Sequence, residues 1–157
     1  MSLVSTKWLS NNRENVKIID CSWHLPNEKR NSLEEYNSEH IPNAIYFDID
    51  KNSDQNSDLP HMLPSKKEWE KIVSSLGISN DDKIIIYDNS DLISSCRLWY
   101  SFLYFGHNKE LVYILNGGLE KWNKEKLVTT NIKTDLVKTE YSAIENNEMV
   151  KNLDEIN

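Results

Sequence analysis

Several residue patterns that mark specialised proteins are missing from this chain of 157 residues. It has only two cysteines, Cys21 and Cys96, without CxxC spacing. A disulfide between them has no sequence support, and a reducing, cytoplasmic location is the simpler expectation. No long apolar run is present, so we expect no transmembrane span. The first eight residues also lack the apolar stretch of a signal peptide.

Clustered positive charge is absent too. The formal net charge is -7 and the pI is about 5.1. Proteins that bind nucleic acid generally need clustered Lys and Arg, so we expect neither a nucleic-acid partner nor a membrane partner. Hydrophobic residues make up 38% and charged residues 27% of the chain, which is typical of a soluble globular domain. A chain of this length can bury a core without disulfides.

Short apolar runs alternate with segments of helical spacing. Strands are predicted over residues 16–21, 44–47, 83–87 and 111–115. Helices are predicted after Ser5 and Ser65, over 93–105 and after Gly118, and one or two helical turns over 32–36. Strands that alternate with helices in this way predict an α/β domain with a mainly parallel sheet of about five strands and helices on both faces.

The last part of the chain has a different composition. Residues 125–157 contain neither Gly nor Pro, and they mix Lys, Glu, Asp and Asn with scattered apolar residues. We therefore expect one domain over residues 1–130. Residues 131–157 are interpreted as a linker and the start of a second domain that this chain lacks.

The segment after residues 83–87 is the best candidate for a site. A strand, a polar loop and a helix follow one another there, an arrangement that often holds an anion at the helix N-terminus. Asp88 stands directly after the strand, whereas Cys96 lies well inside the predicted helix. Both cysteines are interpreted as core residues, because buried cysteines commonly behave as small apolar groups.

Several motifs resemble those of one family. Residues 40–44 read HIPNA between an aromatic residue and an apolar run. Supporting segments lie at residues 19–26, 46–50, 59–64, 105–107 and 115–122. Together they resemble the rhodanese family, and in particular the first half of tandem-rhodanese 3-mercaptopyruvate/thiosulfate sulfurtransferases, over roughly residues 1–130. Asn43 departs from the usual Gly, but Asn tolerates positive φ better than most residues do.

The resemblance implies a site that is incomplete in this chain. Active rhodanese domains carry a cysteine after the matching strand, and its thiolate takes up sulfane sulfur as a persulfide. Here Asp88 replaces that nucleophile. In the tandem family, an Asp–His pair on the first domain is completed by the second domain, and the matching residues are Asp50 and His61. The alternative is that His61 is a loop residue fixed by neighbouring prolines and Asp50 is a surface charge.

Two functions from different classes remain open. The chain is expected to be half of a sulfurtransferase that moves sulfane sulfur from 3-mercaptopyruvate or thiosulfate to a thiol or cyanide. It would be inactive alone, would need no cofactor or metal, and would have the missing second domain and a small sulfur donor as partners. The alternative is a free-standing inactive rhodanese module with a binding or regulatory role. A phosphatase of the same fold is disfavoured, because no C-x5-R sequence follows Cys21 or Cys96.

Overall fold

The computed structural model describes residues 2–54, 56, 62–89 and 93–149. Within these residues, five parallel strands form one sheet in the order β1-β5-β4-β2-β3. The strands are β1 (Leu3–Val4), β2 (Lys17–Asp20), β3 (Ala44–Tyr46), β4 (Ile84–Tyr87) and β5 (Val112–Leu115). The helices are α1 (Thr6–Asn12), α2 (Ser32–Ser38), α3 (Lys66–Ser75), α4 (Ile93–Tyr104) and α5 (Gly118–Lys124). The predicted α/β class and mainly parallel sheet are confirmed.

The sheet separates two apolar cores, because successive strand residues face opposite sides. On one side, Ile19, Ile84 and Ile86 pack with α3 and α4, where Trp69 and Phe102 are buried. The other core lies against α1, α2 and α5 and contains Leu9, Ile18, Tyr36, Ile85 and Trp122. Strands buried on both faces are apolar along their whole length, which is why the sequence shows runs and not alternation.

The helix starts follow from local capping. The Ser5 hydroxyl accepts a hydrogen bond from the backbone N–H of Trp8 at 3.0 Å, and the Ser65 hydroxyl accepts one from Glu68 at 3.2 Å. Each bond satisfies a backbone donor that the first helical turn leaves unpaired. The predicted helix starts at these two serines are therefore confirmed.

Strand β1 was not predicted from the sequence. It contains two residues, which pair in register with Ile114 and Leu115 of β5. Such a short edge strand has no periodicity of its own and is formed because β5 offers it an unpaired edge.

Asn43 has a φ of 73°, in the left-handed region. It occupies the turn before β3, and asparagine is one of the few residues that enter this region readily. The expectation that Asn can replace Gly in this turn is confirmed.

Residues 130–144 lie against the domain without forming a helix or an extended strand of their own. Thr130 forms an isolated bridge with His40, and the Thr139 backbone N–H donates to the Ser74 carbonyl. Tyr141 and Ala143 are buried in the core on the α3 and α4 side. This strap, residues 130–144, thus completes the core. In the described part of the chain, no helix is long and apolar enough to cross a membrane.

Candidate functional site

Acidic residues lie at the carboxyl ends of three neighbouring strands. Asp20 ends β2, Asp50 follows β3, and Asp88 follows β4. Because β4, β2 and β3 are adjacent and parallel, their carboxyl ends open on the same edge of the sheet. Ligands of open α/β sheets bind at this edge.

The Asp88 carboxylate is buried, with a relative exposure of 1%. Its Oδ2 atom accepts hydrogen bonds from the Ser95 backbone N–H at 3.1 Å, the Ser95 hydroxyl at 2.6 Å and the Ser94 hydroxyl at 3.2 Å. We call these three donors, at the start of α4, the serine cradle. They form the kind of anion site that a helix N-terminus supplies. The anion in this site is the Asp88 carboxylate of the same chain.

Helix α5 holds the same loop from its other side. The Leu119 backbone N–H donates to the Asp88 carbonyl at 3.0 Å. A Cβ atom on Gly118 would lie 2.6 Å from that carbonyl oxygen, and Gly118 has a φ of 59°. Gly118 therefore allows α5 to approach the loop closely, and a larger residue would push the two apart.

Asp20 is the second buried carboxyl group, at 1% exposure. Its Oδ1 atom accepts from the Ser22 backbone N–H at 2.9 Å and the Ser22 hydroxyl at 2.6 Å, and the Tyr87 hydroxyl is a further hydrogen-bond partner. Desolvation by burial outweighs these bonds, and with a smaller contribution from nearby Asp88 it raises the pKa of Asp20 to about 6. Sequence reasoning assigned no role to Asp20, although a carboxylate inside an apolar strand was a usable signal.

Ser22 connects the loops after β2 and β4. Its hydroxyl accepts from the Asn89 backbone N–H at 2.9 Å while it donates to Asp20. The Asn89 side chain in turn donates to Glu35 of α2 at 2.9 Å, and Arg30 pairs with the same carboxylate. The edge is thus cross-linked by polar contacts between two loops and a helix.

Asp50 lies on an exposed turn after β3. Its Oδ2 atom accepts a hydrogen bond from Nε1 of Trp23 at 3.0 Å. Asp50 and Trp23 line one cleft of about 300 Å³ together with Ser22, Tyr46 and Asp48. His61 lies outside the described residues, so its pairing with Asp50 stays a prediction.

Neither cysteine directly follows β4, where Asp88 stands. Cys21 is fully buried, with Sγ 3.7 Å from the Tyr87 carbonyl and 3.9 Å from the Ser95 hydroxyl. Burial, reinforced by Asp88 and Asp20, raises the pKa of the Cys21 thiol, so it is a poor nucleophile. Cys96 lies within α4, half-buried against the core. The interpretation of Cys21 as a core residue is confirmed.

The signature histidine, His40, is fully buried. Its ring nitrogens lie 2.6 Å from the Tyr36 carbonyl and 2.8 Å from the Ile132 carbonyl, and the ring stacks on that of Tyr36. His40 therefore ties the strap to α2, as expected for a structural residue. Among the described residues, no group of three or more His, Cys, Asp or Glu side chains could hold a metal ion.

The chain is similar in sequence to rhodanese-like domains and to known sulfurtransferases. The family model for the rhodanese-like domain matches residues 5–125. Thiosulfate/3-mercaptopyruvate sulfurtransferase 1 of Arabidopsis thaliana is 45% identical over 122 residues, which cover 76% of this chain and 32% of that protein. The 3-mercaptopyruvate sulfurtransferase of Mus musculus is 36% identical over 150 residues, which cover 90% of this chain and 50% of the mouse protein.

Among solved structures, the 3-mercaptopyruvate sulfotransferase SseA of Escherichia coli aligns with a TM-score of 0.82 and 34% identity. The alignment covers 94% of this chain and 57% of SseA. The chain thus spans about a third to a half of the length of these two curated relatives. From the family match, the parallel sheet and the loop after β4, the chain belongs to the rhodanese family.

Proposed function

We propose that this chain is the non-catalytic first half of a sulfurtransferase, and that it supplies Asp50 and His61 to a catalytic cysteine on a second rhodanese domain. The observation that carries the proposal is the loop after β4. Asp88 occupies the nucleophile's place, and its carboxylate fills the serine cradle that would stabilise a persulfide. A carboxylate cannot take up sulfane sulfur, and neither described cysteine directly follows β4, which favours a sulfur-carrying group on a second domain.

The reaction explains what a histidine and a carboxylate could contribute. A thiolate attacks the sulfur of 3-mercaptopyruvate, the C–S bond breaks, and its electron pair leaves with the enolate of pyruvate. The donor thiol loses one proton, and the enolate carbon takes up one. A histidine that accepts and returns this proton suits the step, and a carboxylate such as Asp50 would orient its ring.

Thiosulfate needs less proton transfer. Attack of the thiolate on its outer sulfur breaks the S–S bond, and sulfite leaves with the electron pair. With either donor, cyanide or a thiolate then attacks the outer persulfide sulfur and releases the original thiolate. We therefore expect loss of His61 to impair turnover with 3-mercaptopyruvate more than turnover with thiosulfate.

Exposed apolar residues near this edge of the sheet support the proposal that a second domain docks there. Four large apolar side chains are exposed in the connections and helix starts around it, namely Leu25 at 51%, Leu33 at 46%, Met62 at 44% and Ile93 at 68%. Leu33 lines the same cleft as Asp50. An exposed apolar side chain in the cleft that holds Asp50 is consistent with a surface that another domain covers.

A sulfurtransferase assay separates the two candidate functions. The chain alone, incubated with thiosulfate or 3-mercaptopyruvate plus cyanide, is expected to give no thiocyanate above background. The longer protein that carries this chain should turn over and should lose activity when its second-domain cysteine is replaced. Activity of the chain alone that disappears in Cys96→Ser would overturn the proposal. A natural protein without a second domain would favour the free-standing module.

Replacement of the proposed pair tests its role directly. In the longer protein, His61→Ala and Asp50→Ala are each expected to lower kcat with 3-mercaptopyruvate by about 10²-fold or more, as for loss of a general acid–base group. Asp135→Ala, at an exposed carboxylate on the strap, serves as the matched control and should leave kcat unchanged. Unchanged kinetics in His61→Ala would remove the histidine from the mechanism.

A further inference from the structure

Trp23 forms a hydrogen bond with Asp50 at the edge of the sheet where the site lies. Its indole N–H donates to Asp50 Oδ2 at 3.0 Å, across 27 residues of sequence. Tryptophan has a single donor and no acceptor, so this bond can form only with the Asp50 oxygen as acceptor.

The position of Trp23 is fixed from the buried side. The preceding residue, Ser22, is held by two hydrogen bonds to Asp20 and accepts a third from Asn89. Both Ser22 and Asp20 are 1% exposed. The chain therefore reaches Trp23 from a backbone position that is held by three hydrogen bonds.

The backbone of Asp50 is also fixed, but its side chain is exposed. Ile49 is buried, the Lys51 N–H donates to the Asp48 carboxylate at 3.0 Å, and the Asn52 N–H donates to the Asp48 carbonyl at 3.0 Å. An exposed carboxylate changes rotamer on the picosecond to nanosecond timescale unless a partner holds it. The indole N–H supplies such a partner.

From this geometry we infer that Trp23 is a positioning residue for Asp50: its indole N–H fixes the orientation of the Asp50 carboxylate. The inference rests on the proposed function of Asp50. A carboxylate accepts several hydrogen bonds, so the bond from Trp23 does not prevent Asp50 from orienting a histidine ring. Trp23 follows the carboxyl end of β2, where open α/β sheets place their sites. Its contact with Asp50 could not be predicted from the sequence, because the two residues become neighbours only when β2 and β3 pair.

The contact itself can be tested in this chain by NMR. Trp23→Phe should remove one indole ¹H–¹⁵N resonance and so assign it. In Asp50→Asn, that resonance should move upfield, because a charge-assisted hydrogen bond is replaced by a weaker one. The indole resonance of Trp8, which lies over Lys83, should stay in place. A Trp23 resonance that does not respond to Asp50→Asn would overturn the inference.

A double-mutant cycle in the longer protein tests the functional role of Trp23. Trp23→Phe is expected to lower kcat with 3-mercaptopyruvate roughly three- to tenfold, since one hydrogen bond to an exposed charged group has a modest net effect, and to leave KM nearly unchanged. In the Asp50→Ala background, Trp23→Phe should cause no further loss, because contacting groups that act through one another are not additive. Trp8→Phe is the control and should leave kcat unchanged.

The outcomes separate this inference from the proposed function. If Asp50→Ala leaves kcat unchanged, the proposed role of Asp50 fails and the positioning role fails with it. If Asp50→Ala lowers kcat but Trp23→Phe has no effect, the inference alone is overturned. It is also overturned if Trp23→Phe lowers kcat by the same factor with and without Asp50.

Discussion

Asp20→Asn is expected to change how the stability of the domain depends on pH. The pKa of Asp20 is raised from 3.8 to about 6 in the folded domain, mainly by burial. Between these two values the unfolded chain loses the proton while the folded domain keeps it. Because the folded pKa is the higher one, the stability that Asp20 contributes is fully present below pH 3.8 and is lost as the pH rises through about 6.

The size of the effect follows from the same shift. A difference of about 2 pKa units, at 1.36 kcal/mol per unit, corresponds to about 3 kcal/mol of unfolding free energy. Asn cannot ionise, and its amide oxygen can still accept from the Ser22 N–H and hydroxyl. The variant should therefore gain about 3 kcal/mol relative to the wild type between about pH 4 and pH 7.

Urea unfolding of both proteins at several pH values measures this difference. The decisive quantity is the unfolding free energy of Asp20→Asn minus that of the wild type, because the contributions of groups that do not interact with Asp20 cancel in this difference. Asp135→Asn, at an exposed carboxylate, is the matched control and should show a difference that varies little with pH. A constant difference for Asp20→Asn across the same range would refute the buried-carboxyl interpretation.

Three further predictions concern the supports of the site and the strap. Gly118→Ala should lower the unfolding free energy by about 1–3 kcal/mol, measured by urea unfolding, because its φ is 59° and the new methyl group would meet the Asp88 carbonyl. Burial lowers the pKa of His107 from 6.5, so stability should fall as the pH drops below about 6.5, and His107→Gln should flatten that dependence. Tyr141→Ala should lower the unfolding free energy by about 3–5 kcal/mol, as for other buried aromatics. The control Val137→Ala, at a side chain that is 78% exposed, should have little effect. Equal losses of unfolding free energy in the two variants would contradict the packing of the strap.

Helices and strands were predictable from the sequence where a local pattern of residues marked the element. The apolar runs of β2, β4 and β5 and the capping serines of α1 and α3 are local features, and each appears in the structure. Strand β1 could not be found in this way, since a two-residue strand exists only through its pairing with β5. The packing of the strap was likewise invisible, because its contacts with His40 and Ser74 join residues far apart in sequence.

The site was predictable only in part. Asp88 could be located because it follows a strong strand and stands where the family has its nucleophile. Its burial and its bonds to Ser94 and Ser95 depend on how α4 approaches the sheet, which no local pattern encodes. The interaction of Asp50 with Trp23 depends in the same way on the pairing of β2 with β3.

The occupied serine cradle has a consequence for ligand competition. The carboxylate of Asp88 is attached to the cradle by its own backbone, so it acts as a tethered ligand whose effective concentration is on the order of millimolar or higher. A free anion such as thiosulfate would have to displace it and enter a site that already lies beside Asp20. The cradle of this domain is therefore closed to small anions by prior occupancy.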